Sequence, residues 1–226
     1  MAETSVAAEP RIVIEVWADL GCPWCYIGKH RLQAAIAARP DRDRFQVEIR
    51  SFELDPDATD EPEPITTAFS RKYGRDAASA MKAERQIQAL AESEGLAFDV
   101  SRLNANTFNL HRVTQYAKEA GKGTEFFSRV QDGFFAGDLN PYDVETLVAV
   151  AESLGLSGSR VRDVLAGDEY ADAVRADVAE ASALGARGVP FTVFNRVLAA
   201  SGAQSVASYA DALTQAANMS HRGSAR

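Results

Sequence analysis

The sequence predicts an α/β protein in which a β-α-β unit and a β-β-α unit share one sheet, with a large all-helical segment inserted between them. Residues 11–18 and 45–52 alternate in strand period on either side of a helical stretch; residues 66–184 are helical in period almost throughout; and two short strand-like runs followed by a helix occupy residues 191–217. A chain of 226 residues buries roughly 70–75% of the surface its unfolded form exposes, enough for a core without disulfide or metal staples. Neither outer piece is large enough to make a core alone, so the two are expected to build one sheet together.

In residues 11–18, Ile12, Ile14 and Val16 alternate with Val13, Glu15 and Trp17, and β-branched residues on both faces predict a largely buried strand. Residues 23–39 change to helical period through Ile27, Leu32, Ala35 and Ile36, and Pro23 is tolerated because the first turn has no backbone hydrogen bond to lose. The second strand, 45–52, sets Phe45, Val47 and Ile49 against Gln46, Glu48 and Arg50. Residues 55–64 hold three prolines and five acids, which can continue neither element and read as a solvated surface loop.

The helical segment is punctuated at Gly95, Gly121, Gly155 and Gly167, and no fixed repeat runs through it, which predicts a packed insertion and not a solenoid. Its clearest helix is expected to start at an Asn140 N-cap with Pro141 in first position, Asp143 and Glu145 in the first turn, and Val144, Leu147, Val148, Ala151 and Leu154 on one face. Residues 191–195 and 197–200 suit an antiparallel hairpin, and residues 205–217 return to helix through Val206, Tyr209, Ala210 and Leu213. The expected organisation is a flexible leader 1–10, a first part of the sheet domain 11–65, a helical insertion domain 66–184, a second part 185–218 and a flexible tail 219–226.

Apolar residues at 46% and charged residues at 25% are those of a soluble globular chain. A net charge of -8, from 24 basic and 32 acidic residues, with no basic run, argues against nucleic acid as a partner. The first ten residues carry two glutamates and no lysine or arginine, and no window reaches membrane-spanning length, so no targeting segment and no membrane association are expected and the protein is placed in the cytoplasm.

Both cysteines of the chain lie in Cys22-Pro23-Trp24-Cys25, where a strand hands over to a helix. A thiol attacks as its thiolate, which a helix N-terminus stabilises, lowering a pKa of about 8.5 toward ~3.5–7.5. Cys22, nearer the helix start, is the expected nucleophile; Cys25, one turn in and expected to be more buried, is the resolving thiol that attacks the mixed disulfide. A structural zinc site would need two further ligands, and His30, His111 and His221 offer none at metal spacing, so no metal is expected. Two ordinary buried thiols remain the bland alternative. In Gly188-Val189-Pro190-Phe191, a trans proline would leave a ladder defect before the third strand, which a cis bond avoids.

The segments Asp19-x-x-Cys22-Pro23-Trp24-Cys25-Tyr26-Ile27-Gly28-Lys29, Asn106-Thr107-x-x-x-His111-Arg112, Gly188-Val189-Pro190-Phe191 and Ser201-Gly202-Ala203-Gln204 together resemble the DsbA-like thioredoxin superfamily, and within it the FrnE-type thiol oxidoreductases. The resemblance implies a thioredoxin-like fold interrupted by a helical domain. It also implies dithiol-disulfide exchange with proteins or small thiols, often as a homodimer, with no cofactor beyond the redox-active disulfide and with glutathione as a co-substrate candidate. It places the Val189 backbone, turned toward the dithiol by Pro190, against an extended substrate, and adds Asn106 to the substrate-binding candidates.

The same architecture is shared by 2-hydroxychromene-2-carboxylate isomerases and kappa-type glutathione transferases, in which serine typically stands at the first cysteine position. Cys22 there, with Cys25, favours a thiol-disulfide oxidoreductase or isomerase over a glutathione-dependent isomerase or transferase, and a peptide-binding chaperone is the non-enzymatic alternative. Among supporting residues, Pro23 opens the helix and Trp24 brings an apolar face without charge, so a weaker oxidant than DsbA is expected. Asp19 bonds nearby backbone or assists proton transfer from Cys25; His111 caps or packs its helix, or reaches across the cleft toward Cys22. Phe108, Phe126, Phe127, Phe134, Phe135 and Tyr142 are placed in the core of the insertion or along an apolar groove beside the dithiol.

Overall fold

Strand period in residues 12–18 and 45–51 becomes two parallel neighbours. A computed structural model describes residues 11–224, with side chains through residue 220. Strand β1 (Ile12–Ala18) pairs in parallel with β2 (Phe45–Ser51), Ile12 opposite Phe45 and Ala18 opposite Ser51. On its other side β1 meets β5 (Phe191–Phe194) antiparallel, and β5 continues to β6 (Leu198–Ser201), giving the order β2-β1-β5-β6. Being internal, β1 is buried on both faces, as its β-branched content requires. The β5–β6 hairpin turns at Asn195 and Arg196, whose φ values of 49° and 59° match the twist of the flanking strands.

Helix α1 (Pro23–Ala37) and the last helix, α9 (Val206–Ser224), pack on one face of this sheet. Between β2 and β5 the chain forms α2 (Ile65–Tyr73), α3 (Ala77–Ser93), α4 (Phe108–Glu119), α5 (Gly123–Ala136), α6 (Val144–Ser153), α7 (Gly158–Ala166) and α8 (Ala171–Ala183). The apolar side chains of α4 to α7, among them Val113, Phe127, Phe135 and Val148, join Ile12, Ile14 and Ile27 in one continuous core. The opposite sheet face is covered separately, where Trp17, Phe191 and Val193 pack with Ala181 of α8.

Several sequence expectations are corrected. Helix α6 starts at Val144, with Asp143 as its N-cap, whose carboxylate accepts from the Thr146 N–H at 2.9 Å. Asn140 instead accepts from the Tyr142 N–H at 3.1 Å, a local turn that competes with helix and holds Pro141 outside it. Val144 is consequently 42% exposed and not on the buried face. A two-residue ladder, β3 (Glu63–Pro64) with β4 (Leu103–Asn104), ties the acidic loop to the segment before α4. The tail expected to be flexible from residue 219 continues α9 through Ser224, since neither glycine nor proline interrupts residues 206–222. The leader 1–10 and residues 225–226 lie outside the described residues.

Candidate active site

Strand β1 runs into Asp19 and the chain turns at Leu20 and Gly21 to enter α1. Cys22 is the N-cap of α1 with extended backbone (φ -81°, ψ 111°), and Pro23 fills the first helical position, where the missing N–H costs nothing. The Cys22 carbonyl accepts from the N–H of Cys25 at 3.0 Å and of Tyr26 at 3.2 Å. Both thiols are free. Each residue is only 2% exposed, so surface exposure does not rank Cys25 below Cys22 as the sequence led us to expect. What separates them is their surroundings: the Cys22 Sγ donates to the carbonyl of Val189 at 3.6 Å, whereas burial, with the neighbouring Cys22 thiol and the Asp19 charge adding to it, pushes the Cys25 thiol well above the ordinary thiol value.

The Val189–Pro190 peptide bond is cis. Pro190 is buried, its carbonyl accepts from the Gly202 N–H at 2.7 Å, and its ring lies against α1 at Gly28. Residues far apart in sequence, Cys22, Val189 and Pro190, are thereby brought to one point.

Asp19 lies beneath the dithiol, buried. Its Oδ2 accepts from the Leu54 N–H at 2.7 Å and its Oδ1 meets His111 Nε2 at 3.2 Å. Burial alone would raise its pKa, but His111, by hydrogen bond and by charge, with Leu54 and Thr107, holds the carboxyl below its ordinary 3.8. Of the two roles the sequence leaves to His111, it takes packing and not the reach toward Cys22: it meets this carboxylate, is 0% exposed, and its ring stacks on Phe127 at 6.0 Å. A buried carboxylate is the stronger electrostatic partner for an imidazole than a distant thiol.

Asn106, a substrate-binding candidate, is occupied within the chain. Its Nδ2 donates to the Pro56 carbonyl at 3.2 Å and its Oδ1 accepts from the Phe108 N–H at 2.8 Å, so its side chain fastens the acidic loop to the start of α4. Asn104, two residues earlier on β4, lines the cleft instead.

That cleft is a cavity of about 200 Å³ that opens beside Cys22. Cys22, Pro23 and Trp24 form one wall, and Ile65, Ala68, Phe69 and Tyr73 of α2 face them. Trp24 is 43% exposed and stands at the rim. The Phe69–Tyr73 pair, ring centroids 4.6 Å apart, was not singled out from the sequence, although aromatics four apart on a helix are a readable signal. Phe126, Phe127, Phe134 and Phe135 are core residues and none of them lines this cavity. Glu84 and Arg102 also escaped the sequence reading; they form a buried ion pair at 2.8 Å on the cavity wall, and no local pattern marks either. Among the described residues no group of three His, Cys, Asp or Glu side chains is placed to hold a metal ion. No helix there is long and apolar enough to cross a membrane.

Comparison with known proteins places the fold. Residues 13–214 match the family described as DSBA-like thioredoxin domain. Over 164 residues the chain is 29% identical to the uncharacterised protein YwbO of Bacillus subtilis (strain 168), covering 72% of this chain and 76% of that one. The crystal structure of a probable DsbA oxidoreductase, SCO1869 from Streptomyces coelicolor, superposes with a TM-score of 0.84 at 43% identity, over 91% of this chain and 90% of that one. A 2-hydroxychromene-2-carboxylate isomerase shares the fold at a TM-score of 0.67 and 16% identity, over 94% of this chain and 98% of that one.

Proposed function

From the membership of this chain in the DSBA-like thioredoxin domain family, we propose that it exchanges a Cys22–Cys25 dithiol with the disulfides of protein or small-thiol substrates. The observation that carries this is the asymmetric setting of the two sulfurs. Cys22 stands at the helix start, where negative charge is favoured, beside an open cavity and the Val189 carbonyl. Cys25 sits one turn behind it, held protonated.

In the forward direction the Cys22 thiolate attacks one sulfur of the substrate disulfide. That S–S bond breaks, the departing sulfur leaves with the bonding pair and takes up a proton, and a mixed disulfide forms on Cys22. Cys25 then loses its proton and attacks the Cys22 Sγ, releasing the second substrate sulfur. The substrate disulfide has gained two electrons and two protons, and the chain holds the Cys22–Cys25 disulfide. The Val189 backbone, freed of the Cys22 proton, is the natural acceptor for a substrate N–H. In a reducing cytoplasm the dithiol would be held reduced and act as the donor.

The deciding experiment compares Cys22→Ser with Cys25→Ser on a disulfide-bonded protein substrate. Exchange should vanish in the first, while the second should accumulate a mixed disulfide on Cys22 visible by mass spectrometry. Equal activity in both rejects the reading. The cavity beside Cys22 also leaves a glutathione-dependent isomerase as the second reading; turnover of a small electrophile that survives Cys25→Ser without any redox cycle selects that alternative.

A further inference from the structure

Helix α2 carries an apolar stripe that belongs to neither hydrophobic core. Ile65, Ala68, Phe69 and Tyr73 fall at positions i, i+3, i+4 and i+8 along it, the pattern by which a helix normally buries one face against its own protein. None of the four joins the core around β1 or the smaller one under α8, and only Ala68 is buried. The stripe lines the cavity beside Cys22, across from Pro23 and Trp24. Of the Phe, Tyr and Trp side chains among the described residues, Trp24 and Tyr73 alone are exposed, at 43% and 55%, and both line this one cavity. Large apolar surface left open at one place, beside a reacting group, marks a binding site.

Size and chemistry narrow what fills it. The cavity measures about 200 Å³. A cavity of about 150 Å³ lined by aliphatic and aromatic side chains holds one benzene molecule, so this one takes a single ring or branched aliphatic group and nothing as large as a helix. The charged groups on its wall are engaged within the chain: Glu84 with Arg102 at 2.8 Å, Asp19 with the Leu54 N–H at 2.7 Å, and Lys72 Nζ with the Leu54 carbonyl at 2.6 Å and Asp55 at 3.5 Å. A charged substituent entering here would give up water for no partner. An apolar one would exchange water for Ile65, Phe69, Ile87 and the two exposed rings. Because Cys22 is part of the wall, the entering group is one tethered close to the reacting sulfur. Val189, which meets the same sulfur, is not on this wall. A peptide cysteine whose backbone lies along Val189 can therefore present a neighbouring side chain to the cavity.

We infer that this cavity is a specificity pocket for one large apolar side chain, aromatic or branched aliphatic, on the residue next to the reacting cysteine of a peptide substrate, with Phe69 and Tyr73 of α2 as its specificity-determining residues. The inference rests on the exchange chemistry proposed above and names its substrate class. Glutathione disulfide, whose cysteine is flanked by γ-glutamyl and glycyl groups, has nothing with which to fill the pocket.

The test uses the reduced full-length protein and the symmetric disulfides of N-acetylated, C-amidated tripeptides: Gly-Cys-Gly, the two with Phe on one or other side of the cysteine, and the two with Glu there. Glutathione disulfide is the further arm. Oxidation of Cys22 and Cys25 is followed by mass spectrometry, and each rate is divided by that of the same disulfide with dithiothreitol, which removes intrinsic reactivity. After that division at least one phenylalanine peptide should exceed the glycine peptide about ten- to hundred-fold, the effect of burying one large apolar side chain. The glutamate peptides and glutathione disulfide should not exceed it. In Ala68→Leu, which fills the pocket, and in Phe69→Ala, which removes one wall, the preference for phenylalanine should fall toward one.

Phenylalanine peptides that react no faster than the glycine and glutamate peptides overturn the pocket and leave the exchange reading standing, and so does glutathione disulfide outpacing them. A preference that persists undiminished in both folded variants places apolar recognition elsewhere and overturns the pocket as well. Failure of every disulfide to oxidise Cys22 overturns the exchange reading and the pocket together. Because the main comparison is made on the unmutated protein, it does not depend on either variant folding.

Discussion

The thiol of Cys22 donates to the carbonyl of Val189 at 3.6 Å, so the helix start and the loop before β5 meet at a single sulfur. The contact exists because the Pro190 ring is seated on α1, and the seat is Gly28. A Cβ built on Gly28 would lie 3.3 Å from Pro190 Cγ and 3.3 Å from Ala203 Cβ, so a methyl here fits only if Pro190 and Ala203 give by a few tenths of an ångström.

Gly28→Ala therefore combines two opposing effects. Alanine in a helix interior gains about 1 kcal/mol over glycine, while the new methyl presses on Pro190 and Ala203. Stability should stay within about 1 kcal/mol of the parent, yet the Val189 carbonyl should shift and exchange should slow. Gly28→Val should add overpacking of about 1–3 kcal/mol. Thermal unfolding set beside exchange kinetics reads both; unchanged exchange in Gly28→Val would separate the Pro190 seat from function.

Cys25 leads to an alkaline prediction. Its folded-state pKa is raised by burial first, and next by the Cys22 thiol. Both states hold the proton at neutral pH. As pH rises past the ordinary thiol value of about 8.5, the unfolded chain ionises and the folded one does not, so this stabilisation is lost toward the raised value. The reduced protein should lose urea stability between about pH 8.5 and 10, and Cys25→Ala should flatten that limb. An identical slope in the variant would assign the loss to other groups.

How much of this was legible depends on whether the cause was local. The alternation of Ile12, Ile14 and Val16, and of Phe45, Val47 and Ile49, reports burial along one strand and needs no partner to be read. Cys22-Pro23-Trp24-Cys25 and the proline before β5 are likewise local chemistry. The start of α6 was misread because two good capping residues, Asn140 and Asp143, lie three apart, and only the turn closed by the Tyr142 N–H decides between them. Asn106 and Asn104 both suit a cleft by residue type, and tertiary placement alone chose Asn104. Glu84 and Arg102 come from segments 18 positions apart with nothing in either to mark a buried charge; that pairing is made by packing.

Asp177 of α8 fastens the covering helix to the sheet. Its carboxylate accepts from the Ser51 N–H at 2.9 Å, from Gln115 Nε2 at 2.6 Å and from Arg50 Nη1 at 3.2 Å, and its carbonyl accepts from Trp17 Nε1 at 2.8 Å. Asp177→Ala strands the buried Ser51 N–H and takes one of two partners from Gln115 Nε2, which keeps Ser51 Oγ, and from Arg50, which keeps Glu15; it should cost about 2–4 kcal/mol in urea unfolding. Asp177→Asn keeps two acceptor bonds and should cost about 1–2 kcal/mol. Equal costs would mean that the carboxylate acts only as a shape.

The Asp19–His111 pair ties part of the fold's stability to acid pH. Burial works against the Asp19 charge, and the His111 hydrogen bond and charge, the Leu54 N–H and Thr107 outweigh it, leaving the carboxyl below 3.8. A depressed folded-state pKa gives stability that is fully present above the unfolded value, near 3.9, and is lost as pH falls through the folded one. The parent protein should thus lose this contribution only below about pH 4. His111→Leu leaves the Asp19 carboxylate buried without its partner, which should cost about 3–5 kcal/mol at neutral pH and move the acid loss upward, since burial then acts unopposed by the imidazole. Asp19→Asn removes the titrating group while keeping an oxygen for Leu54, so its acid limb should be flatter than the parent's; because the Asp19 charge also helps hold Cys25 protonated, Cys25 in this variant should be alkylated at lower pH. Urea midpoints from pH 7 to 3, read with iodoacetamide labelling of each cysteine, decide the matter. An acid limb in Asp19→Asn as steep as the parent's, with unchanged Cys25 labelling, would show that the pair holds neither the fold nor the thiol.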